Sequence, residues 1–398
     1  MLRASRELCA ALGLRAVLLK GGHLARGRTR LADVEAAAAR EALEMHRVVI
    51  DGMLLRDANM EILFQAAPAT AVGDVPVVVD VLCEGGDRDE RGTGKCTVFV
   101  RPFLDSGSTH GTGCTLSAAL ACGLARGEPL VEAVKLATMY THECIAASFP
   151  VGSGHGPLNH MHSLLPRVLP RPTQSDPYPL VRMLICSNAG LWKQYVEHDF
   201  IKQLGKGTLS RERFIHFIKQ GYLYLKYYAR ANGLLASKSL AYSDFAAGAE
   251  MILAIVKERE MHVSWGVDLS ELENTPESPP CTAYGAYIID IGLQGDTASL
   301  LMALAVCLLG YGEVGLWLQR EAKRPQSWVQ IENNPYRKWI ENCSGVDYQS
   351  AVKAGIERVE ALALDDPPSP KKLARWKEIW GRCMCFEKRF WDMAMDLS

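Results

Sequence analysis

The chain has 398 residues, 48% hydrophobic and 22% charged, with a formal net charge of −1; at ~150 residues per domain this suggests two or three domains. The balanced charge argues against wrapping phosphate backbones or resting on anionic lipid, both of which need a concentrated basic surface. The longest unbroken apolar stretch, Leu300 to Leu309, is about half of the ~20 residues that span a bilayer and reads as a buried helix.

Twelve cysteines are spread along the chain, and the first residues lack the apolar core and small-residue cleavage site of a secretory signal. Reduced thiols in a cytoplasmic protein are therefore expected. Met1 to Lys20 carries Arg3, Arg6 and Arg15 but also Glu7, and it leads without a break into a strand-like run, so it is read as part of the fold. In residues 1–165, β-branched runs at 16–19, 75–81 and 97–100 alternate with Ala-rich helical stretches at 34–45, 116–125 and 130–147. That alternation predicts an α/β domain with helices packed on a sheet.

Within this half, Thr109-His110-Gly111-Thr112-Gly113-Cys114-Thr115-Leu116-Ser117 opens onto an Ala-rich helix. Gly111 and Gly113 permit a tight turn, and the helix behind them aims unpaired N–H groups and its positive dipole end at it, an arrangement suited to a phosphate or oxyanion. Cys114 at the same helix start is a candidate base or nucleophile; a plain turn with a small buried cysteine is the competing reading.

Residues 166–179 hold five prolines and read as a linker. Beyond it the composition changes: all eight tryptophans lie past position 190. Segments 180–204, 211–232, 244–262, 284–292, 297–318, 348–362 and 370–395 show three-to-four spacing and almost no strand alternation, which predicts an all-helical bundle over 180–398. Cys307 and Tyr311 share one helix face, Glu387 and Phe390 another, and Phe217, Gly221, Tyr224 and Tyr228 form a third stripe. Walls of tyrosine and phenylalanine suit a flat heterocycle, and a thiol with a carboxyl supplies nucleophile and proton carrier. Taken alone, the cysteine in its apolar helix reads first as an inert core residue, as most such cysteines are. Cys383-Met384-Cys385 lacks the second ligand pair of a zinc site, and no metal is assigned.

The Gly111-to-Ser117 motif, with Leu18-Leu19-Lys20-Gly21-Gly22-His23 and Gly152-Ser153-Gly154-His155-Gly156-Pro157-Leu158-Asn159-His160, resembles the ribokinase-like hydroxymethylpyrimidine and phosphomethylpyrimidine kinases of thiamine synthesis. The resemblance implies an anion hole at Gly111, Thr112 and Gly113, activation of the substrate by Cys114, Lys20 near the ATP phosphates, and ATP with Mg²⁺ as cofactors. The lysine-glycine loop comes early compared with that family, so an incomplete kinase domain is expected, with 28–74 as an insertion.

The second half resembles the TenA (thiaminase II) family, through Leu191-Trp192-Lys193, Gly207-Thr208-Leu209, Gln220 to Leu225, Ala305 to Gly315 and Glu387 to Trp391. A kinase of this kind fused to TenA is the arrangement of fungal thiamine proteins. The resemblance implies a haem-oxygenase-like helical fold, Cys307 as nucleophile, Glu387 as acid/base, Tyr224, Tyr284, Tyr311 and Phe390 lining the site, no cofactor in that half, small-molecule aminopyrimidine and ATP as partners, and a homo-oligomer. Gly221 stands where the family has an aspartate, and Cys343 where it has a tyrosine. The alternative these departures keep open is a non-catalytic pyrimidine-binding or regulatory protein.

Overall fold

The computed structural model describes residues 1–22, 29–48, 59–67, 76–88, 94–149, 154–164, 168–173, 176–239, 242–264 and 267–398. His23, Gly152, Ser153, Pro166 and residues 49–58 and 68–74 of the expected insertion lie outside them. The chain divides into two compact units, Met1–Asp57 with Ala67–Pro177, and Ala58–Ala66 with Tyr178–Ser398.

The first unit runs α1 (Leu2–Leu12), β1 (Ala16–Leu19), α2 (Leu31–Glu41) and β2 (Glu44–Arg47). After α3 (Glu61–Ala66), which belongs to the second unit, come β3 (Val77–Arg88), β4 (Gly94–Pro102), α4 (Thr112–Ala125) and α5 (Leu130–Ala146). The sheet order is β1-β3-β4-β2. Strand alternation sorts its two faces. Val77, Val98 and Val100 pack with Leu31 and Val34 of α2, whereas Leu82 and Phe99 pack with Leu120 of α4 and Val134 of α5. Asp80 and Arg101 share the parity of that second face, which bears the chemistry of this unit.

The sheet is mixed: β1 and β4 both run antiparallel to β3, and β2 pairs parallel with β4. Two expectations are corrected here. Glu44 and Met45, expected at the end of a helix, begin β2, since Ala42 turns the chain in a left-handed conformation (φ 51°). The cysteines are not all reduced: Cys83 and Cys96, cross-strand partners in β3 and β4, form a disulfide, and the other ten are free thiols.

Among the described residues the second unit is helical throughout. It comprises α3 with α6 (Pro179–Cys186), α7 (Ala189–Val196), α8 (Asp199–Lys206), α9 (Arg211–Lys238), α10 (Tyr242–Ser264), α11 (Leu269–Glu273), α12 (Pro279–Gln294), α13 (Thr297–Ala322), α14 (Arg337–Ser344), α15 (Val346–Asp365) and α16 (Pro370–Asp396). The helix starts are encoded locally. Ser210, Ser278, Asp296 and Ser369 each accept a hydrogen bond from a backbone N–H three residues on, and proline occupies the first turn of α6, α12 and α16. The periodic run at 180–204 is three helices, with Asn188 and His198 at the breaks.

Helix α13 is the axis of this unit. It is long and apolar enough to cross a membrane by length and composition, but 72% of its most apolar window is buried within the protein. Around it pack α3, α7, α9, α12, α14, α15 and α16. The presence of α3 there revises the expected layout, because residues read as an insertion in the first half lie in the core of the second unit. Ile62 is fully buried, and the buried Glu313 of α13 accepts the N–H groups of Glu61 and Ile62 at 3.0 Å each. A carboxyl at that spot satisfies two of the N–H donors that a helix start leaves unpaired. Trp192 completes the seat by donating its indole N–H to Asn59 O at 2.7 Å.

Candidate active site

The helical unit encloses a cavity of about 450 Å³. Cys307 and Tyr311 of α13, Tyr224 of α9, Tyr284 of α12, and Glu387 and Phe390 of α16 all line it. Four helices thus bring together six side chains selected from sequence. Gly221 and Cys343, the two departures from the family pattern, also face this space. Ring contacts build the walls: Tyr224 stacks on Tyr284 with centroids 4.6 Å apart, and Phe390 meets Tyr224 edge-on at 5.9 Å. Tyr228 fixes α9 against α13 by donating to Leu304 O at 3.0 Å, one turn before Cys307.

Glu387 is the charged centre of this aromatic box. It is 2% exposed and accepts the Tyr284 hydroxyl at 2.8 Å. Burial pushes its carboxyl up to about 7, while hydrogen bonding from Tyr284 and from Cys307 pulls it partly back. The Tyr284, Tyr224 and Tyr311 phenols are raised well above their ordinary value, first by burial and also by nearby Glu387 and Cys307, so they stay neutral donors. The result is an aromatic-walled cleft where a thiol stands beside a carboxyl whose pKa is raised toward neutrality.

Several neighbours went unselected in the sequence. Tyr195 of α7 reaches Glu387, and it does so because α13 carries glycine at 310: a Cβ there would lie 2.1 Å from the Tyr195 ring. Trp339 and Asn342 of α14, Tyr348 of α15 and Met251 of α10 also line the cavity. No spacing rule links residues on different helices, so only the paired positions within one helix were legible.

The first unit gathers its own set of predicted residues. Gly111 precedes α4 with φ 82°, a left-handed conformation that favours glycine. Lys20 donates to Thr112 Oγ1 at 2.9 Å across 92 positions, which places its ammonium at the start of α4. The lysine loop is held from behind: Gly21 N–H donates to Asp80 Oδ1 at 2.9 Å, and Asp80 is paired with Arg101, both buried. A Cβ on Gly21 would lie 2.0 Å from Val79 O, so no other residue fits. Burial lowers the Lys20 pKa, with Asp80 acting against it. Thr115 Oγ1 and His160 Nε2, 2.8 Å apart, tie the C-terminal signature to α4, and His155 Nδ1 donates to Gly107 O at 2.9 Å. Cys114 is exposed at the same helix start, beside Gly113.

Each unit is similar to known proteins. The model of the TENA/THI-4/PQQC family matches residues 187–397, and that of phosphomethylpyrimidine kinase matches 73–159. The latter span contains Gly111 to Cys114 but not Lys20, which the fold brings to it. A Schizosaccharomyces pombe protein named hydroxymethylpyrimidine/phosphomethylpyrimidine kinase 2 is 34% identical over 91% of this chain. The chain spans 62% of that relative's length. An aminopyrimidine aminohydrolase of Halalkalibacterium halodurans is 26% identical over 51% of this chain and 90% of its own. Among solved structures, a TenA family transcription regulator from Silicibacter sp. TM1040 superposes with a TM-score of 0.50, at 31% identity, covering 56% of this chain and 99% of that one.

Proposed function

Because the chain belongs to the TENA/THI-4/PQQC family, joined here to a phosphomethylpyrimidine kinase segment, we propose that it is an enzyme of thiamine-pyrimidine synthesis and salvage whose helical unit hydrolyses aminopyrimidines. The observation that carries this reading is the aromatic-walled cavity that brings Cys307 together with the buried Glu387. The pyrimidine stacks among Tyr224, Tyr284 and Phe390. The Cys307 sulfur adds to an electron-poor ring carbon, forming a C–S bond as its proton passes to the adjacent ring nitrogen, while Glu387 protonates the amine on the ring's methylene group and that C–N bond breaks. Water then adds at the methylene, Glu387 takes its proton, and the C–S bond breaks as the ring nitrogen returns its proton to free the thiol. The products are hydroxymethylpyrimidine and the amine, or the thiazole when thiamine is the substrate.

In the first unit, Lys20, Gly111, Thr112 and Gly113 suit the phosphates of ATP and of a hydroxymethylpyrimidine acceptor, with Cys114 at the acceptor oxygen. Mg²⁺ bound with the nucleotide would neutralise its phosphate charge. Asp80, the buried carboxylate behind the lysine loop, is engaged by Arg101 and Gly21.

The test is turnover of aminomethylpyrimidine and of thiamine by the full chain and by Cys307→Ser. The expected result is product formation that falls at least about a thousandfold in the variant. Equal rates, or pyrimidine binding without turnover by the unaltered chain, would instead favour a binding protein.

A further inference from the structure

A second cleft in the helical unit, of about 430 Å³, lies between α8 and the C-terminal end of α13 and takes no part in the chemistry above. Its floor is built. Trp317 of α13 and Trp328 of the following loop meet at 5.5 Å between centroids. That loop is pinned to α8 by Gln330 N–H donating to Gly205 O at 2.9 Å and by Asn334 Nδ2 donating to Leu204 O at 2.9 Å. A Cβ on Gly205 would lie 3.1 Å from the Trp328 ring, so the indole rests directly on the α8 backbone.

Four cations and two carboxylates share the wall above this floor. The carboxylates are already engaged. Glu321, buried, receives Arg320 Nη2 at 3.2 Å on one oxygen and Arg324 Nη1 at 2.9 Å on the other. Glu197 receives Asn59 Nδ2 at 2.9 Å, with Lys193 at 4.0 Å. Arg320 is further paired with Glu61, yet its buried Nε has no partner among the described residues. Lys202 and Lys206, one helical turn apart on α8, both line the cleft, and among the described residues neither has a carboxylate within 4 Å. The cleft thus holds an uncompensated pair of ammonium groups beside an indole wall.

We propose that this cleft binds a phosphate-bearing flat heterocycle, its dianion held by Lys202, Lys206 and Arg324 and its ring against Trp328. Two adjacent uncompensated cations match a phosphate monoester, which carries close to two negative charges at neutral pH. An indole edge gives a flat ring apolar contact. Two sources offer this chemistry, a phosphorylated pyrimidine and a nucleotide.

The experiment is calorimetric titration of the full chain with inorganic phosphate, hydroxymethylpyrimidine phosphate and adenosine monophosphate. It is repeated on Lys202→Ala/Lys206→Ala, Trp328→Phe and Lys20→Ala, with circular dichroism checking the fold of each. The expected result is a phosphate-dependent site that weakens with salt, loses at least tenfold in affinity in the double-lysine variant and keeps its affinity in Lys20→Ala. Trp328→Phe weakens the heterocyclic probe but not inorganic phosphate, and whichever of the two organic probes binds more tightly names the source. Binding that vanishes in Lys20→Ala and is untouched by the double-lysine change overturns the proposal, as does an absence of binding. An affinity equal for all three probes overturns the heterocycle part.

Discussion

Tyr284 of α12 donates a 2.8 Å hydrogen bond to Glu387 of α16 across 103 positions of sequence, entirely out of water. That bond favours the carboxylate and opposes the effect of burial. Tyr284→Phe is therefore expected to raise the Glu387 pKa further above about 7. If Glu387 donates the proton to the leaving amine, the alkaline limb of the kcat profile moves to higher pH. The maximum rate falls because the carboxyl loses its orientation; a pH–rate series on the two proteins measures both effects.

Replacing the carboxyl itself separates chemistry from folding. Glu387→Gln is expected to lower kcat at least about a hundredfold and to abolish the limb near pH 7. Melting curves at pH 8 should show no loss of stability, since the neutral amide does not need the ionisation that burial disfavours. A large drop in melting temperature at pH 8 would show that the charged form is what the fold requires.

Glu313 makes a prediction about stability alone. Burial raises it to about 8, against a partial lowering by the Ile62 N–H. A group whose folded pKa lies above its unfolded value contributes stability fully below the unfolded value, near 4.5, and loses it as pH rises through the folded one. Thermal stability should accordingly decline between pH 5 and pH 8.5. In Glu313→Gln the decline should be shallower, which scanning calorimetry at several pH values resolves; an identical slope counts against the assignment.

The seat of α3 can be probed from its other side. Ile62 is fully buried, so Ile62→Ala is expected to cost about 2–5 kcal/mol. Urea unfolding followed by tryptophan emission reads this in the helical unit, where Trp192 contacts the same segment. A change under about 0.5 kcal/mol would mean that α3 is dispensable to that unit.

Gly21→Ala tests the lysine loop. Its Cβ would lie 2.0 Å from Val79 O, so the loop must move and carry Lys20 away from Thr112. Affinity for ATP should fall at least tenfold, with Lys20→Ala giving a loss of similar size by nucleotide titration.

What the sequence disclosed follows the range of each physical rule. Positions three or four apart on one helix, such as Cys307 with Tyr311 and Glu387 with Phe390, were visible because helical geometry alone makes them neighbours. Tyr195 beside Glu387, or Glu313 beneath α3, was not legible, because no short-range pattern links residues so far apart. The antiparallel pairings of β3 were missed for a related reason: alternation marks a strand but not the direction of its neighbour.

The chain leaves the first unit before α3, supplies that helix to the second, returns, and crosses again at the proline-rich segment. A cut at the prolines would therefore not divide the protein cleanly, since it would strand part of one core inside the other half's reading frame. Along the chain the two units are interleaved rather than strung in tandem. A variant in the short stretch around Ile62, outside both family matches, would be inherited as a lesion of the helical unit.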